Sequence, residues 1–258
     1  MTATKTAGKT RVVRELLRVM GTVVTFDVID DGSKDDVHVA LASARAVLRR
    51  ADAVFSLWKP DSPLSRVRRG ELDVIDAPSE IEEVLRLCRD VRELSDGWFD
   101  AEAMPGGIDP TGLVKGWAAK RSLDTIRRAG FENALVNAGG DVAAAGTYSA
   151  NHPWRIAVAD PGSRARILGV VELDGSIATS GTSERGAHLY DPKGHRYSTR
   201  FSSASVVGPD LSIADGLATA LVVAGEEGFS FIDAIDGYEA VVCDRRGGVL
   251  ATSGFAFS

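Results

Sequence analysis

Apolar and polar positions along the chain fall into short blocks with distinct periods. Arg11 to Ile29 is rich in valine and threonine and runs into Asp30-Asp31-Gly32, which predicts a strand pair with Met20-Gly21-Thr22 inside it. From Asp35 to Phe55, Val39, Ala42, Ala46, Val47 and Val54 recur at helical spacing with arginines opposite, predicting a first long helix. Lys59 to Pro63 breaks that helix off. After a turn at Asp76 to Pro78, Ser79 followed by Glu82 predicts a capping-box start for a second helix reaching about Ser95.

Gly97 to Gly112 holds four glycines and two prolines and reads as a loop; Leu113 to Ala129 returns to helical spacing and ends at Gly130. Short apolar runs at Asn133 to Asn137, Trp154 to Ala159 and Ile167 to Leu173 predict strands. Asp210 to Ala224 predicts a last strong helix, and Ala240 to Leu250 a closing hairpin turning at Arg245 to Gly248. Helices and strands mix without strict alternation, so the fold class expected is α+β. It is expected as a single globular domain over residues 11–258, or as two lobes with the site between them, after a disordered tail over residues 1–10.

Composition narrows the function. With 258 residues, 44% hydrophobic and 26% charged, the chain has the profile of a folded enzyme-sized protein rather than a disordered or fibrous one. A net charge of −6 gives nucleic acid or an anionic leaflet no global attraction. Cys88 and Cys243 lie far apart, outside any C-x-x-C pair, and read as buried thiols. No secretory h-region and no run of about 20 apolar residues is present, so the protein is expected to be cytoplasmic and not inserted in a membrane.

Candidate chemistry gathers in four places. Asp109, Thr111 and Lys115 surround a glycine-rich helix start, where backbone N–H groups and an ammonium favour an anion. Gly139-Gly140 before Asp141 permits close approach of a ligand, or simply a tight turn. Thr179-Ser180-Gly181 and His188 bring hydroxyls and a base candidate together, although a lone histidine is more often structural. Asp215 and Thr219 lie four apart on an apolar helix and share a face. Such an aspartate needs a hard cation, a backbone donor or an arginine.

Taken in order, these segments resemble the ApbE family, the FAD:protein FMN transferases. The resemblance rests on Met20-Gly21-Thr22, Phe55-Ser56-x-Trp58, Gly97-x-Phe99-Asp100, Asp109-x-x-Gly112-x-x-Lys115-Gly116, Asn137-x-Gly139-Gly140-Asp141, Thr179-Ser180-Gly181, His188-x-x-Asp191-Pro192 and Ala214-Asp215-x-x-x-Thr219. It implies Mg²⁺-dependent transfer of FMN from FAD to a Thr or Ser hydroxyl of an acceptor flavoprotein, with AMP released. By position, Asp215, Thr219 and a backbone carbonyl near Val114 would hold Mg²⁺, and Asp215 and His188 would be catalytic, His188 as the base. Met20, Trp58, Asp109, Lys115, Gly140 and Thr179 would bind FAD. The chain departs from the family pattern at Pro63, Arg68 and Ala187, and in the shortened stretch Lys193 to Arg196 that contains His195. Hydrolysis of FAD to FMN and AMP, or flavin binding without catalysis, are the alternatives; keeping a base together with Asp215 and Thr219 favours an enzyme.

Overall fold

The computed structural model describes residues 11–32, 36–150, 152–182 and 189–258. The tail expected over residues 1–10, the helix start at Asp35 and the base candidate His188 lie outside them. The strands are β1 (Arg11–Val19), β2 (Thr22–Asp30), β3 (Ala134–Ala138), β4 (Asp141–Ala145), β5 (Thr147–Ser149), β6 (His152–Asp160), β7 (Ser163–Leu173), β8 (Gly175–Gly181), β9 (Tyr190–Asp191), β10 (Arg196–Tyr197), β11 (Ser203–Gly208), β12 (Glu239–Cys243) and β13 (Val249–Ala251). The helices are α1 (Val37–Phe55), α2 (Pro63–Arg68), α3 (Ser79–Leu94), α4 (Thr111–Arg128), α5 (Leu211–Ala224) and α6 (Phe229–Asp233).

Eight strands form one antiparallel sheet in the order β1-β2-β3-β4-β8-β11-β12-β13. Strand alternation assigns its two faces. Phe26, Val136, Ala143, Ala178 and Val206 join Leu41, Leu48, Leu113, Leu217 and Leu221 of the helices in the main core. Leu135, Val142, Ala144 and Ile177 turn the other way and pack against Trp154, Val158, Val171 and Leu173 of the β6–β7 hairpin. The result is a mixed α+β fold with helices on one face of a sheet and a hairpin on the other. The two cores share strands, which fits one domain rather than two lobes.

Local chemistry explains the helix starts and corrects two expectations. Asp36 caps α1 by accepting His38 N–H at 2.8 Å, and Asp210 caps α5 by accepting Ser212 N–H at 2.8 Å. The capping box expected at Ser79 does not form. Pro78 occupies the cap and Ser79 is already helical, leaving Glu80 and Glu82 to face the positive end of the helix. The break after Lys59 contains a helix of its own, α2, with Pro63 in its first turn and the Ser62 hydroxyl accepting Ser65 N–H at 3.1 Å. Both cysteines are buried and free; burial pushes the Cys88 thiol up to about 12.

Two hairpin turns and the end of β8 bring the motif-bearing blocks to one end of the sheet. Met20 and Gly21 (φ 54° and 70°) turn β1 into β2, and Gly139 and Gly140 (φ 68° and 104°) turn β3 into β4. Two positive φ values at the centre of a two-residue hairpin are what its right-handed twist requires. These turns touch, since a side chain at Gly139 would collide with Thr22. The end of β8 beyond Ala178 lies beside them, with Thr179 N–H donating to Asp141 Oδ1 at 3.1 Å.

Candidate functional site

The site starts from the crossing of α4 and α5. Gly112 and Gly116 stand one turn apart on α4, Thr219 and Asp215 one turn apart on α5, and the pairs face each other. A Cβ at Gly116 would lie 2.5 Å from the Leu211 carbonyl oxygen and 2.8 Å from Asp215 Cβ, and one at Gly112 would lie 3.6 Å from Thr219 Oγ1. Glycine therefore permits the backbones to approach, and the approach lets Gly116 N–H donate to Asp215 Oδ2 at 2.9 Å. Of the alternatives for Asp215, the backbone donor is realised, and no arginine pairs with it among the described residues.

Twelve of the fourteen α5 residues are buried; Ile213 and Thr219 are the other two. Thr219 is half-buried, and its hydroxyl lies 2.9 Å from Ser180 Oγ. Asp215 is 3% exposed. Burial first, and the negative charge of Asp141 second, push its carboxyl up to about 7, against the opposing pull of the Lys115 charge and the Gly116 N–H.

Asp141, the first residue of β4, is fully buried and joins three elements. Its Oδ2 pairs with the Lys115 ammonium of α4, and its Oδ1 takes the Thr179 N–H of β8. Thr179 Oγ1 in turn lies 2.8 Å from Ser205 Oγ on β11. Lys115, Gly140, Thr179, Asp215 and Thr219 are thereby brought into one neighbourhood. Val114 is buried in the first turn of α4, beside Lys115.

Asp109 is engaged differently. Its Oδ1 accepts the N–H of Thr111 at 3.0 Å and its hydroxyl at 2.6 Å, so it holds the first residue of α4, just before which Pro110 occupies the cap. Its Oδ2 lies 3.5 Å from Arg68, whose guanidinium also donates to the Pro105 and Gly106 carbonyls at 2.5 and 2.7 Å. Arg68, a departure from the family pattern, here clamps the loop that leads into α4.

An open cavity of about 600 Å³ adjoins the hairpin turns, lined by Arg18, Met20, Gly21, Thr22, Asp52 and Gly139 among others. Met20 packs partly against the core beneath it. Trp58 follows α1 and is 96% exposed, and the next residue, Lys59, pairs with Asp52 at the cavity wall. His195 sits apart as an exposed turn residue at φ 50° between β9 and β10.

Beside the Asp215 carboxylate stand the Asp141 carboxylate and, one turn along α5, the Thr219 hydroxyl, hard oxygen ligands of the kind that suit Mg²⁺. A buried carboxyl pushed towards neutrality by its surroundings is also one that a cation would restore to its charged form. The residues therefore fit the metal that the resemblance implies. Asp141 and Ser180 are the site residues to which sequence reasoning assigned no role. The signal for Asp141 was a charged residue directly after a paired-glycine turn.

Comparison with known proteins identifies the family and the fold. The sequence model of the ApbE family matches residues 20–106 and 102–242. A FAD:protein FMN transferase of Vibrio cholerae is 34% identical over 131 residues, which are 46% of this chain and 39% of that protein's own length. One from Haemophilus influenzae is 24% identical over 291 aligned positions, covering 85% of this chain and 82% of the relative. The solved structure of the flavin transferase ApbE from Vibrio cholerae superposes with a TM-score of 0.83 at 22% identity, over 96% of this chain and 99% of that one. That superposition establishes the fold.

Proposed function

Because the chain belongs to the ApbE family, we propose that it transfers FMN from FAD to a Thr or Ser hydroxyl of an acceptor protein, releasing AMP, with Mg²⁺ bound by Asp215, Thr219 and a first-turn carbonyl of α4 near Val114. The observation that carries this reading is the α4–α5 crossing. It sets a buried carboxyl and a half-buried hydroxyl against the glycine-bearing start of a helix. Bound there, Mg²⁺ neutralises negative charge on the pyrophosphate oxygens.

The protein's own groups divide the remaining work. The hydroxyl oxygen of the acceptor forms a bond to the FMN phosphorus while the bond from that phosphorus to the bridging oxygen breaks and AMP leaves. Its proton passes to His188, since a threonine hydroxyl is a poor nucleophile at neutral pH. Lys115 presents its ammonium to the phosphates at the start of α4. Met20, Gly21 and Gly139 wall the nucleotide cavity, and Gly140 and Thr179 contact the nucleotide from the neighbouring turn and the end of β8. Trp58 offers an uncovered indole face for the flavin ring. Asp109 supports the pocket by holding Thr111 at the start of α4 and through Arg68.

Purified protein incubated with FAD, Mg²⁺ and a cell lysate should release AMP and leave a fluorescent flavin band on a denaturing gel. AMP release without any labelled band would replace transfer by hydrolysis. Absence of both would refute the reading.

A further inference from the structure

A charged side chain is fully buried only when something holds it, and Asp141 is held from two sides. The β4–β8 ladder runs from Ala144–Gly175 to Val142–Ile177, and one residue further on Asp141 continues it through its side chain by accepting Thr179 N–H at 3.1 Å. An asparagine oxygen would accept that N–H equally well without burying a charge. The negative charge has a different object, the Lys115 ammonium on α4. Lysine carries its charge on a flexible four-carbon stem, and the Lys115 side chain keeps 25% of its surface open while its ammonium is tied down.

We infer that Asp141 is a positioning residue: it fixes the Lys115 ammonium at the level of Thr179 and beside Asp215, so that the positive charge is already in place when a pyrophosphate enters. The assignment rests on the function proposed above and deepens it. It also explains why the paired-glycine turn ends in a carboxylate. Gly139 and Gly140 aim the first residue of β4 back under α4, where the lysine arrives.

The test is a double-mutant cycle in the full-length protein with Asp141→Asn, Lys115→Gln and both. Melting temperature is read in EDTA without FAD, and kcat and KM are read from AMP release with FAD, Mg²⁺ and a fixed amount of lysate. Removing one partner leaves the other's charge buried, so the double variant should melt no lower than the worse single one. Asp141→Asn should lower kcat on the order of 10- to 100-fold while KM changes little, the pattern of a misplaced group rather than a lost ligand. At saturating Mg²⁺, which would hold Asp215 charged whatever stands at position 141, the double variant should match Lys115→Gln within about twofold, because the remaining effect of Asp141 passes through the lysine.

A wild-type kcat in Asp141→Asn alongside coupled melting temperatures would reduce Asp141 to a structural ion pair and overturn the inference. Multiplying kcat losses, or additive melting losses, would overturn it too. Wild-type protein that neither releases AMP nor labels an acceptor would refute the proposed function and with it the role of Asp141. The melting cycle would still report the ion pair, which keeps the two failures distinct.

Discussion

Gly116 N–H donates to Asp215 Oδ2 at 2.9 Å, and a Cβ at position 116 would stand 2.8 Å from the Asp215 Cβ and 2.5 Å from the Leu211 carbonyl. One glycine thus joins α4 to α5 and orients the buried carboxylate. Alanine at a free helix position is favoured over glycine by about 1 kcal/mol. At position 116 the sign should reverse. Gly116→Ala is expected to destabilise by about 1–3 kcal/mol through overpacking, lowering the melting temperature by about 2–4 °C per kcal/mol. A stabilised variant in thermal denaturation would show that the crossing is looser than described.

Asp215 makes stability depend on pH. Its folded pKa, about 7, lies above the 3.8 of the free group, so the protonated form is the one the fold favours. The associated stability is fully present below about pH 4 and is lost as pH rises through about 7. In EDTA, the melting temperature of wild type minus that of Asp215→Asn should therefore fall between pH 5 and 8. Mg²⁺ should restore wild type at pH 8 and leave the variant unchanged, by mass action on the folded state. A difference that is flat across this range would remove the electrostatic account of the site.

The cavity and the Lys115 helix start together predict tighter binding of FAD than of FMN or riboflavin, because a pyrophosphate and an adenylate add contacts that the smaller flavins lack. Calorimetric titration of the three flavins checks this, and equal affinities would count against the assignment of the cavity.

Much of this was legible before the fold was known, for physical reasons that differ between elements. α1, α4 and α5 carry enough apolar positions at helical spacing to declare themselves, and Asp215 with Thr219 is a local pair four residues apart. β4, with the sequence Asp-Val-Ala-Ala-Ala, and β8, made largely of glycine, serine and alanine, hold no aromatic residue and only Val142, Ile177 and Thr179 of the branched residues that mark a strand. They are strands because flanking strands supply hydrogen bonds and two cores cover them. Asp141 escaped for a related reason. Its partners are 26 and 38 residues away, so its role exists only in three dimensions. At Asp109 sequence reasoning found the residue but not its partners, Thr111 at the start of α4 and Arg68, the latter 41 residues away.

If His188 is the base, His188→Ala should keep FAD affinity and lose transfer by on the order of 10² to 10⁴ in rate. Measuring AMP release and protein-bound flavin separately, across the pH range where histidine titrates, separates a base from a structural residue. Unchanged transfer would send the search for the proton acceptor elsewhere.

The most direct measurement compares wild type with Asp215→Asn for AMP release and covalent flavin on lysate protein, with Mg²⁺ and with EDTA. Wild type should release AMP and label an acceptor only with Mg²⁺, and Asp215→Asn should do neither while remaining folded by circular dichroism. Equal transfer by the variant, or transfer by wild type in EDTA, would contradict a metal-dependent flavin transferase built on the crossing of α4 and α5.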